Sequence, residues 1–174
     1  MRDKVDCFKY VVETNKLMRD GGLLLVSKDE NPNAMTIGWG FLGTMWSKPV
    51  FVVAVRYSRY TYKLLEGMDS FTVCLPSKDM EDVLTVCGTK SGRDMDKFKE
   101  LKLTPVDGET VDAPYIEECP VHFECKVVYK DEMAEGRLAE PLQGQMYGTK
   151  DWHVLYYGEI LGCYEAADVD ESLP

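Results

Sequence analysis

KPVFVVAVRYSRYT, residues 48–61, is the stretch that decides the fold class. Its six residues from Val50 to Val55 are all apolar, and the pattern turns polar abruptly at Arg56. A short apolar run that follows a proline is typical of a buried strand, because an amphipathic helix needs a longer, periodic pattern. Similar runs predict further strands at Leu23–Val26, within Met35–Met45, and at Ser70–Leu75, Val121–Tyr129, Leu142–Tyr147 and Trp152–Tyr164.

Helical patterns are few and short. Apolar residues recur at helical spacing from Val5 to Met18 and stop at Asp20-Gly21-Gly22, which predicts an opening helix. Other short helices are predicted at Ser58–Met68, Lys78–Cys87 and Asp94–Leu101. The sequence therefore predicts a mainly β fold, a barrel or a sandwich, with two or three short helices inserted and an acidic, frayed tail from Ala166 to Pro174.

Composition limits the domain count, the compartment and the partners. The 174 residues are 45% hydrophobic, which suits one domain over residues 1–174. No apolar run approaches the roughly 18 residues of a membrane span, and residues 1–4 lead into no secretory core, so we expect a soluble, cytoplasmic protein. The net charge of −10 argues against nucleic acid and anionic membranes as partners. The six cysteines form no CxxC pair and are predicted to be reduced and mostly buried.

Negative charge is missing from one segment. From Asn31 to Leu65 there is no aspartate or glutamate, although the chain has 30 of them. A buried sheet would explain this absence, but it would not explain Arg56 and Arg59, which stand where a strand gives way to a helix. Ser58 is a natural N-cap there, and two guanidinium groups, hydroxyl groups and a helix N-terminus together indicate a phosphate site. The alternative is a capped helix with solvated arginines.

Two apparent motifs do not fit their context. The segment GWGFLG, residues 38–43, matches GxGxxG, but Pro49 leaves no room for the helix and no carboxylate follows at positions 55–65 to hold a ribose. His122 lies between Cys119 and Cys125, but side chains alternate along a strand, so it points away from both cysteines. We therefore expect no metal site, and we expect His122 at the surface or at an interface.

Taken together, these residues make the sequence resemble the flavin reductase-like, FMN-binding split-barrel family, and within it the flavoredoxin-type branch. Four segments carry the resemblance, namely residues 33–39, 48–61, 87–98 and 152–160. The resemblance implies a split β-barrel that binds FMN near the interface of a homodimer. One departure is Tyr57, where relatives often have proline.

The resemblance also implies the residues of the site. The FMN phosphate would be held by Arg56, Ser58, Arg59 and Thr61, and Tyr60 in the same segment would also bind the cofactor. The isoalloxazine would be bordered by Met35, Thr36, Ile37 and Gly38, and the site would be closed by Ser91, Gly92 and Lys97. His153 is either close to a bound nicotinamide or a structural residue. The aromatic segments Phe41–Trp46 and Trp152–Tyr157 are candidates for the dimer interface, and they could equally belong to the core.

The implied function is that of an FMN-dependent oxidoreductase in which NAD(P)H reduces the flavin and an acceptor takes the electrons. Two alternatives stay open at this point. The protein could be an electron-transfer flavoprotein that a protein partner reduces, or a non-enzymatic split-barrel module that binds heme or another ligand. The sequence does not distinguish NADH from NADPH, and it identifies neither the acceptor nor a catalytic residue.

Overall fold

The computed structural model describes residues 2–167 and 169–174. The strands are β1 (Arg2–Lys4), β2 (Leu23–Lys28), β3 (Pro32–Ile37), β4 (Gly40–Met45), β5 (Lys48–Arg56), β6 (Ser70–Leu75), β7 (Pro105–Val106), β8 (Tyr115–Ile116), β9 (Val121–Glu132) and β10 (His153–Ala166). The helices are α1 (Val11–Asp20), α2 (Tyr60–Gly67), α3 (Glu81–Thr89), α4 (Lys97–Glu100), α5 (Leu142–Tyr147) and α6 (Val169–Ser172).

The main sheet is antiparallel and curls back on itself. Its strands follow the order β3-β2-β6-β9-β10-β5-β4, with β1 added beside β10, and β7 pairs with β8 in a separate ribbon. The two outermost strands, β3 and β4, are consecutive in the chain and are joined only by Gly38 and Trp39. β3 also contacts β5, and the Ala54 N–H donates to the Trp39 carbonyl at 3.3 Å. The predicted mainly β split barrel is confirmed, and we call the line where β3 approaches the end of β5 the seam.

Hydrophobic residues pack on both faces of the sheet. Phe51, Phe71, Phe123 and Tyr156 lie in the barrel interior and are completely buried. A second cluster packs α3 and α4 against the outer face of β2 and β6. Because both faces are covered, β5 and β6 are continuously apolar or buried instead of alternating. Five of the six cysteines are buried and Cys7 is half-buried, as expected.

Two elements differ from the predictions. The opening helix begins at Val11 and not at Val5, because the Asp6 carboxylate accepts the N–H of Phe8 at 2.8 Å and turns the chain before the helix. The predicted strand Leu142–Tyr147 is wrong, since this segment is helix α5. The Glu140 carboxylate accepts the Gly144 N–H at 3.3 Å and supports the first turn of that helix.

His122 is buried, with 1% of its surface exposed, so its predicted place at the surface or at an interface is wrong. The loop before β9 covers this face of the sheet, and the imidazole stacks between Tyr115 and Tyr164 at ring-centroid distances of 3.8 and 5.1 Å. The neighbouring Glu124 carboxylate accepts the backbone N–H groups of Glu109 and Thr110 at 2.8 and 2.7 Å. Burial raises the pKa of Glu124, but hydrogen bonds from His122, Thr110 and the backbone outweigh burial and hold it at about 2.

The C-terminal segment is also more ordered than predicted. In place of a frayed tail, α6 packs Val169 into the core with 5% exposure, and the Ser172 carbonyl accepts the Lys78 N–H at 3.0 Å. Asp168, which falls within that prediction, lies outside the described residues. No helix among the described residues is both long and apolar enough to cross a membrane.

Candidate functional site

Two adjoining cavities open along the seam, and both are lined by Met35 and Arg59. The first, which we call the loop cavity, has a volume of about 130 Å³ and lies between the start of α2 and the loop that follows α3. The second, the seam cavity, has a volume of about 190 Å³ and lies against residues 35–39, Ala54 and His153. Every site residue that the resemblance implied lines one cavity or both: Met35, Thr36, Ile37, Gly38, Arg56, Ser58, Arg59, Tyr60, Thr61, Ser91, Gly92 and Lys97.

Ser58 does not cap α2, which corrects the prediction from sequence. The N-cap is Arg59, and no side chain hydrogen-bonds to the cap. Ser58 instead donates its hydroxyl to one Asp151 oxygen at 2.6 Å and its backbone N–H to the other at 3.1 Å. The Tyr62 N–H donates to the Arg59 carbonyl at 3.2 Å, whereas the first two amide groups of α2, those of Tyr60 and Thr61, precede the first intrahelical hydrogen bond and are available to an anion in the loop cavity.

Three arginines line the two cavities and differ in how they are held: Arg59 and Arg93 line the loop cavity, and Arg56 and Arg59 line the seam cavity. Arg56 donates to the backbone carbonyls of Asp151 and Met146 at 2.7 and 3.1 Å, which fastens it to the connection between β9 and β10. Arg59 donates once, to the Gly88 carbonyl at 3.1 Å, and a guanidinium has five N–H groups. Arg93 donates to the Ser58 carbonyl at 3.1 Å. Arg59 lines both cavities and uses one of its five N–H groups in the hydrogen bond to Gly88, so it has further N–H donors for a ligand at the junction of the cavities.

Lys97 lines the loop cavity but directs its ammonium group elsewhere. It is buried, with 4% exposure, and donates to the carbonyls of Ala34 and Cys87 at 2.7 and 3.1 Å. Burial lowers its pKa. Lys97 thus ties β3 to the end of α3 and shapes the cavity wall. This structural role was not predicted.

Gly92 closes the loop cavity by close packing. A Cβ atom at this position would lie 2.1 Å from the Asn33 Oδ1 atom and 2.8 Å from a ring carbon of Tyr60. Asn33 is itself fixed, because its amide donates to the Thr61 hydroxyl at 3.0 Å. The loop after α3 therefore fits the start of α2 only because residue 92 has no side chain.

The seam cavity is bordered by the free edge of β3. The Thr36 hydroxyl donates to the Leu84 carbonyl at 2.6 Å, which anchors the strand to α3. Within the part of the chain that the structure describes, β3 pairs with β2 alone, so the other edge of its backbone faces the cavity. Backbone groups at such an edge are hydrogen-bonding partners without a strand to satisfy them.

His153 lines the seam cavity and is tightly held there. Its Nδ1 atom lies 2.6 Å from the Tyr147 hydroxyl, and its ring centroid lies 4.6 Å from that of Trp39. Burial, reinforced by the charge of Arg56, lowers the pKa of His153 to about 4. The imidazole is therefore neutral at pH 7. The side chain is packed as a structural residue and also borders the cavity, and its place close to a bound nicotinamide stays a prediction.

Four residues of the site were missed. Trp39 and Arg93 lie inside segments that carry the resemblance, so closer attention to those segments would have found them. Tyr147 and Asp151 come from the connection between β9 and β10, and no local pattern marks them. Among the described residues, no cluster of three or more His, Cys, Asp or Glu side chains is arranged to hold a metal ion.

The two cavities together suit an elongated ligand with an anionic end and a flat, uncharged end. The loop cavity offers spare guanidinium donors and the amides of α2. The seam cavity offers a strand edge, a neutral imidazole and the Trp39 ring, and Arg56 also lines it while donating to two backbone carbonyls. FMN has this shape and charge distribution, and the residues present fit it.

Comparisons with known proteins agree with this geometry. A protein of Archaeoglobus fulgidus, itself named only as uncharacterized, is 33% identical over 138 residues, which are 79% of this chain and 68% of that protein. The flavoredoxin of Desulfovibrio vulgaris (Miyazaki F) is 28% identical and superposes with a TM-score of 0.69 over 88% of this chain and 74% of its own.

A putative flavin reductase with a split barrel domain from Shewanella frigidimarina superposes with a TM-score of 0.68 at 15% identity, over 89% of this chain and 73% of its own, and so shows the fold alone. The family model described as flavin reductase like domain matches residues 18–173. This match and the flavoredoxin similarity support a flavin-related redox function. The chain belongs to the flavin reductase-like domain family.

Proposed function

We propose that this protein is an FMN-dependent oxidoreductase in which NAD(P)H reduces the flavin and a separate acceptor takes the electrons. The observation that carries the proposal is the junction at Arg59. This residue lines both cavities, with anion-binding groups on one side and an uncharged strand edge on the other. A phosphorylated flavin would span the two.

The phosphate would lie in the loop cavity on the side of Arg59, Ser91 and the first amides of α2, at Tyr60 and Thr61. Asp151 argues against a place directly on Ser58, because its carboxylate already accepts both donors of that serine. Like charges at short range repel, so the phosphate is expected to keep its distance from Asp151. Arg56 would position the site through its hold on the β9–β10 connection.

The isoalloxazine would lie in the seam cavity against Met35, Thr36, Ile37 and Gly38. When bound, FMN supplies the capacity to accept a hydride and pass electrons on. The protein contributes the surroundings, with unpaired backbone groups of β3 at the ring edge and a neutral His153 that adds no positive charge of its own. Trp39 covers one side of the cavity and limits the entry of water.

We further propose that the protein works as a homodimer in the cytoplasm. The two interface candidates differ in exposure. Trp152 and Tyr156 are buried, so this segment is largely core, whereas Phe41 and Trp46 are 47% and 55% exposed. The outer face of β4 is therefore the surface that we expect a second copy to cover.

An electron-transfer flavoprotein reduced by a protein partner is the second candidate function. The similarity to a flavoredoxin favours it. Both candidates require bound flavin and differ in the electron donor.

An absorption spectrum of the purified protein, followed by anaerobic addition of NADH and then NADPH, tests the proposal. We expect a flavin spectrum that bleaches promptly with one of the two nucleotides. A flavin that resists both would favour the electron-transfer function. If the purified protein holds no flavin and takes up no added FMN, both candidate functions are contradicted, and a non-enzymatic ligand-binding module remains.

Replacing Arg59 with alanine tests the phosphate assignment. The Arg59→Ala variant should bind FMN about 10- to 100-fold more weakly, because it loses a charged hydrogen bond worth about 1.5–3 kcal/mol. Riboflavin, which lacks the phosphate, should bind wild type and variant alike. Arg19→Ala is the control, since Arg19 pairs with Asp20 on α1. Equal losses for FMN and riboflavin would contradict a phosphate contact.

A further inference from the structure

A third cavity adjoins the seam cavity on the far side of Trp39. It has a volume of about 350 Å³ and is lined only by apolar and aromatic side chains: Trp39, Met133, Leu138, Leu142, Met146 and Tyr147. We call it the α5 pocket, because Leu142 and Met146 project from one side of α5 at a spacing of four residues. Neither the flavin site nor the core uses these two side chains, which are 44% and 41% exposed.

The pocket is apolar although the surrounding segment is highly charged. Residues 130–151 include eight charged side chains, and none of them lines the pocket. Two examples show that these side chains pair with other polar groups. Glu135 pairs with Lys150 at 3.0 Å, and Asp151 accepts from Ser58. No charged residue lines the pocket. A charged ligand would therefore lose its hydration there without gaining a partner, whereas an uncharged ring would bury apolar surface.

The pocket is connected to the proposed flavin site by two side chains. Trp39 lines both the α5 pocket and the seam cavity. Tyr147 forms the pocket wall, and its hydroxyl reaches the Nδ1 atom of His153 in the seam cavity at 2.6 Å. A molecule in the pocket is thus separated from the seam cavity by the thickness of one aromatic side chain.

We propose that the α5 pocket binds the electron acceptor, and that the acceptor is an uncharged, flat ring compound, of which a quinone is the simplest example. This inference rests on the proposed function for the source of the electrons. Reduction of a quinone to a hydroquinone consumes two electrons and two protons. The two electrons would pass from reduced flavin across Trp39, because a hydride cannot cross a side chain. Water would supply the two protons of the hydroquinone and take up the protons that the flavin releases when it is oxidised.

A second copy of the chain is a less suitable occupant. The surface proposed for dimerisation is formed by Phe41 of β4 and by Trp46, whereas no residue of β4 lines the pocket. The pocket is also concave and of a size typical for small ligands.

Binding of 2-naphthol and 2-naphthoate, measured by calorimetry at pH 7 with excess FMN present to occupy the proposed flavin site, tests the pocket. The two probes share a ring system but differ in charge, and neither accepts electrons, so they report binding alone. We expect one saturable site for 2-naphthol and at least about tenfold weaker binding of 2-naphthoate. Leu142→Glu and Met146→Glu should each weaken 2-naphthol at least about tenfold. Val12→Glu, on an exposed residue of α1, should leave it unchanged.

Three results would overturn the proposal. These are equal binding of both probes, equal 2-naphthol binding by Leu142→Glu and Val12→Glu, and dissociation of a dimer by Leu142→Glu, which would show that a second copy covers the pocket. Circular dichroism of each variant confirms that it is folded, and Met146→Glu replaces Leu142→Glu if that variant is not. A separate FMN titration distinguishes the failure of one proposal from the failure of the other. If the protein takes up no FMN but binds the two probes as expected, the flavin function is refuted and the α5 pocket remains a ligand site.

Discussion

His153 shows how one residue can be both a packing element and part of a cavity wall. Its imidazole is 7% exposed, hydrogen-bonded to Tyr147 and packed against Trp39. Since burial and Arg56 lower its pKa to about 4, the side chain stays uncharged over the whole physiological range. The environment of the seam cavity is thus independent of pH near neutrality.

The same lowered pKa predicts a loss of stability in acid. Between about pH 6.5 and pH 4 the unfolded chain binds a proton at this histidine that the folded protein does not bind, so acidification favours unfolding. Urea unfolding of wild type and His153→Asn at pH 7, 5.5 and 4.5 measures this contribution. The free energy of unfolding should fall less steeply with acidification in the variant. Parallel curves would show that His153 titrates normally.

The hydrogen-bond partners of individual side chains were the hardest feature of this molecule to predict from the sequence. The absence of acids from Asn31 to Leu65 pointed to an anion site, yet Asp151 enters from the β9–β10 connection and holds Ser58. Lys97 was placed at the site, and it does line the loop cavity, but its ammonium serves two backbone carbonyls. Asp151 is 93 residues from Ser58 in the sequence, and Ala34, one of the two carbonyl partners, is 63 residues from Lys97. Local sequence patterns do not reveal contacts between residues so far apart.

At the scale of elements, the loop between α3 and α4 depends on the start of α2. The two meet where Gly92 packs against Asn33 and Tyr60, and where Arg93 donates to the Ser58 carbonyl. This contact closes the loop cavity. Its geometry requires a residue without a side chain at position 92.

Gly92→Ala should therefore disturb both the fold and ligand binding. The added methyl group would force Asn33 or the loop to move, at a cost of about 1–3 kcal/mol in the free energy of unfolding, with weaker FMN binding. Gly67→Ala is the matched control, because nothing lies within 4 Å of a Cβ atom there and alanine favours the helix end. Urea unfolding and FMN titration measure the two effects. Identical behaviour of the two variants would contradict the packing argument.

Most elements were predictable from local patterns. β5 has a run of six apolar residues, β6 and β10 are rich in apolar and aromatic residues, and the prediction of these strands was confirmed. The six residues of α5 are too few for periodicity to separate a helix from a strand, and the segment was assigned wrongly. The opening helix was placed too early, since the turn at Asp6 competes with helical spacing.

At the scale of the whole molecule, the exposed aromatic face of β4 predicts association. Phe41 is 47% exposed, and Met45 and Trp46 at the other end of this strand are 41% and 55% exposed. An exposed apolar strand surface of this kind usually marks an interaction surface.

Sedimentation analysis of two phenylalanine variants tests this surface. Wild type and Phe8→Glu should sediment as dimers, since Phe8 is 39% exposed but lies apart, before α1. Phe41→Glu should dissociate at least about tenfold more readily, because a buried, unpaired carboxylate is costly. A monomeric wild type, or equal association of both variants, would contradict dimerisation through β4.

The seam has a consequence for the protein before it acquires a ligand. At the seam, the outer edge of β3 pairs with no strand in the part of the chain that the structure describes, and open edges recruit strands from other chains. A ligand seated along β3 would occupy this edge and block such recruitment. Newly made chains without the ligand would then be the species most prone to aggregate. The supply of the ligand would therefore determine how much of the protein stays in solution.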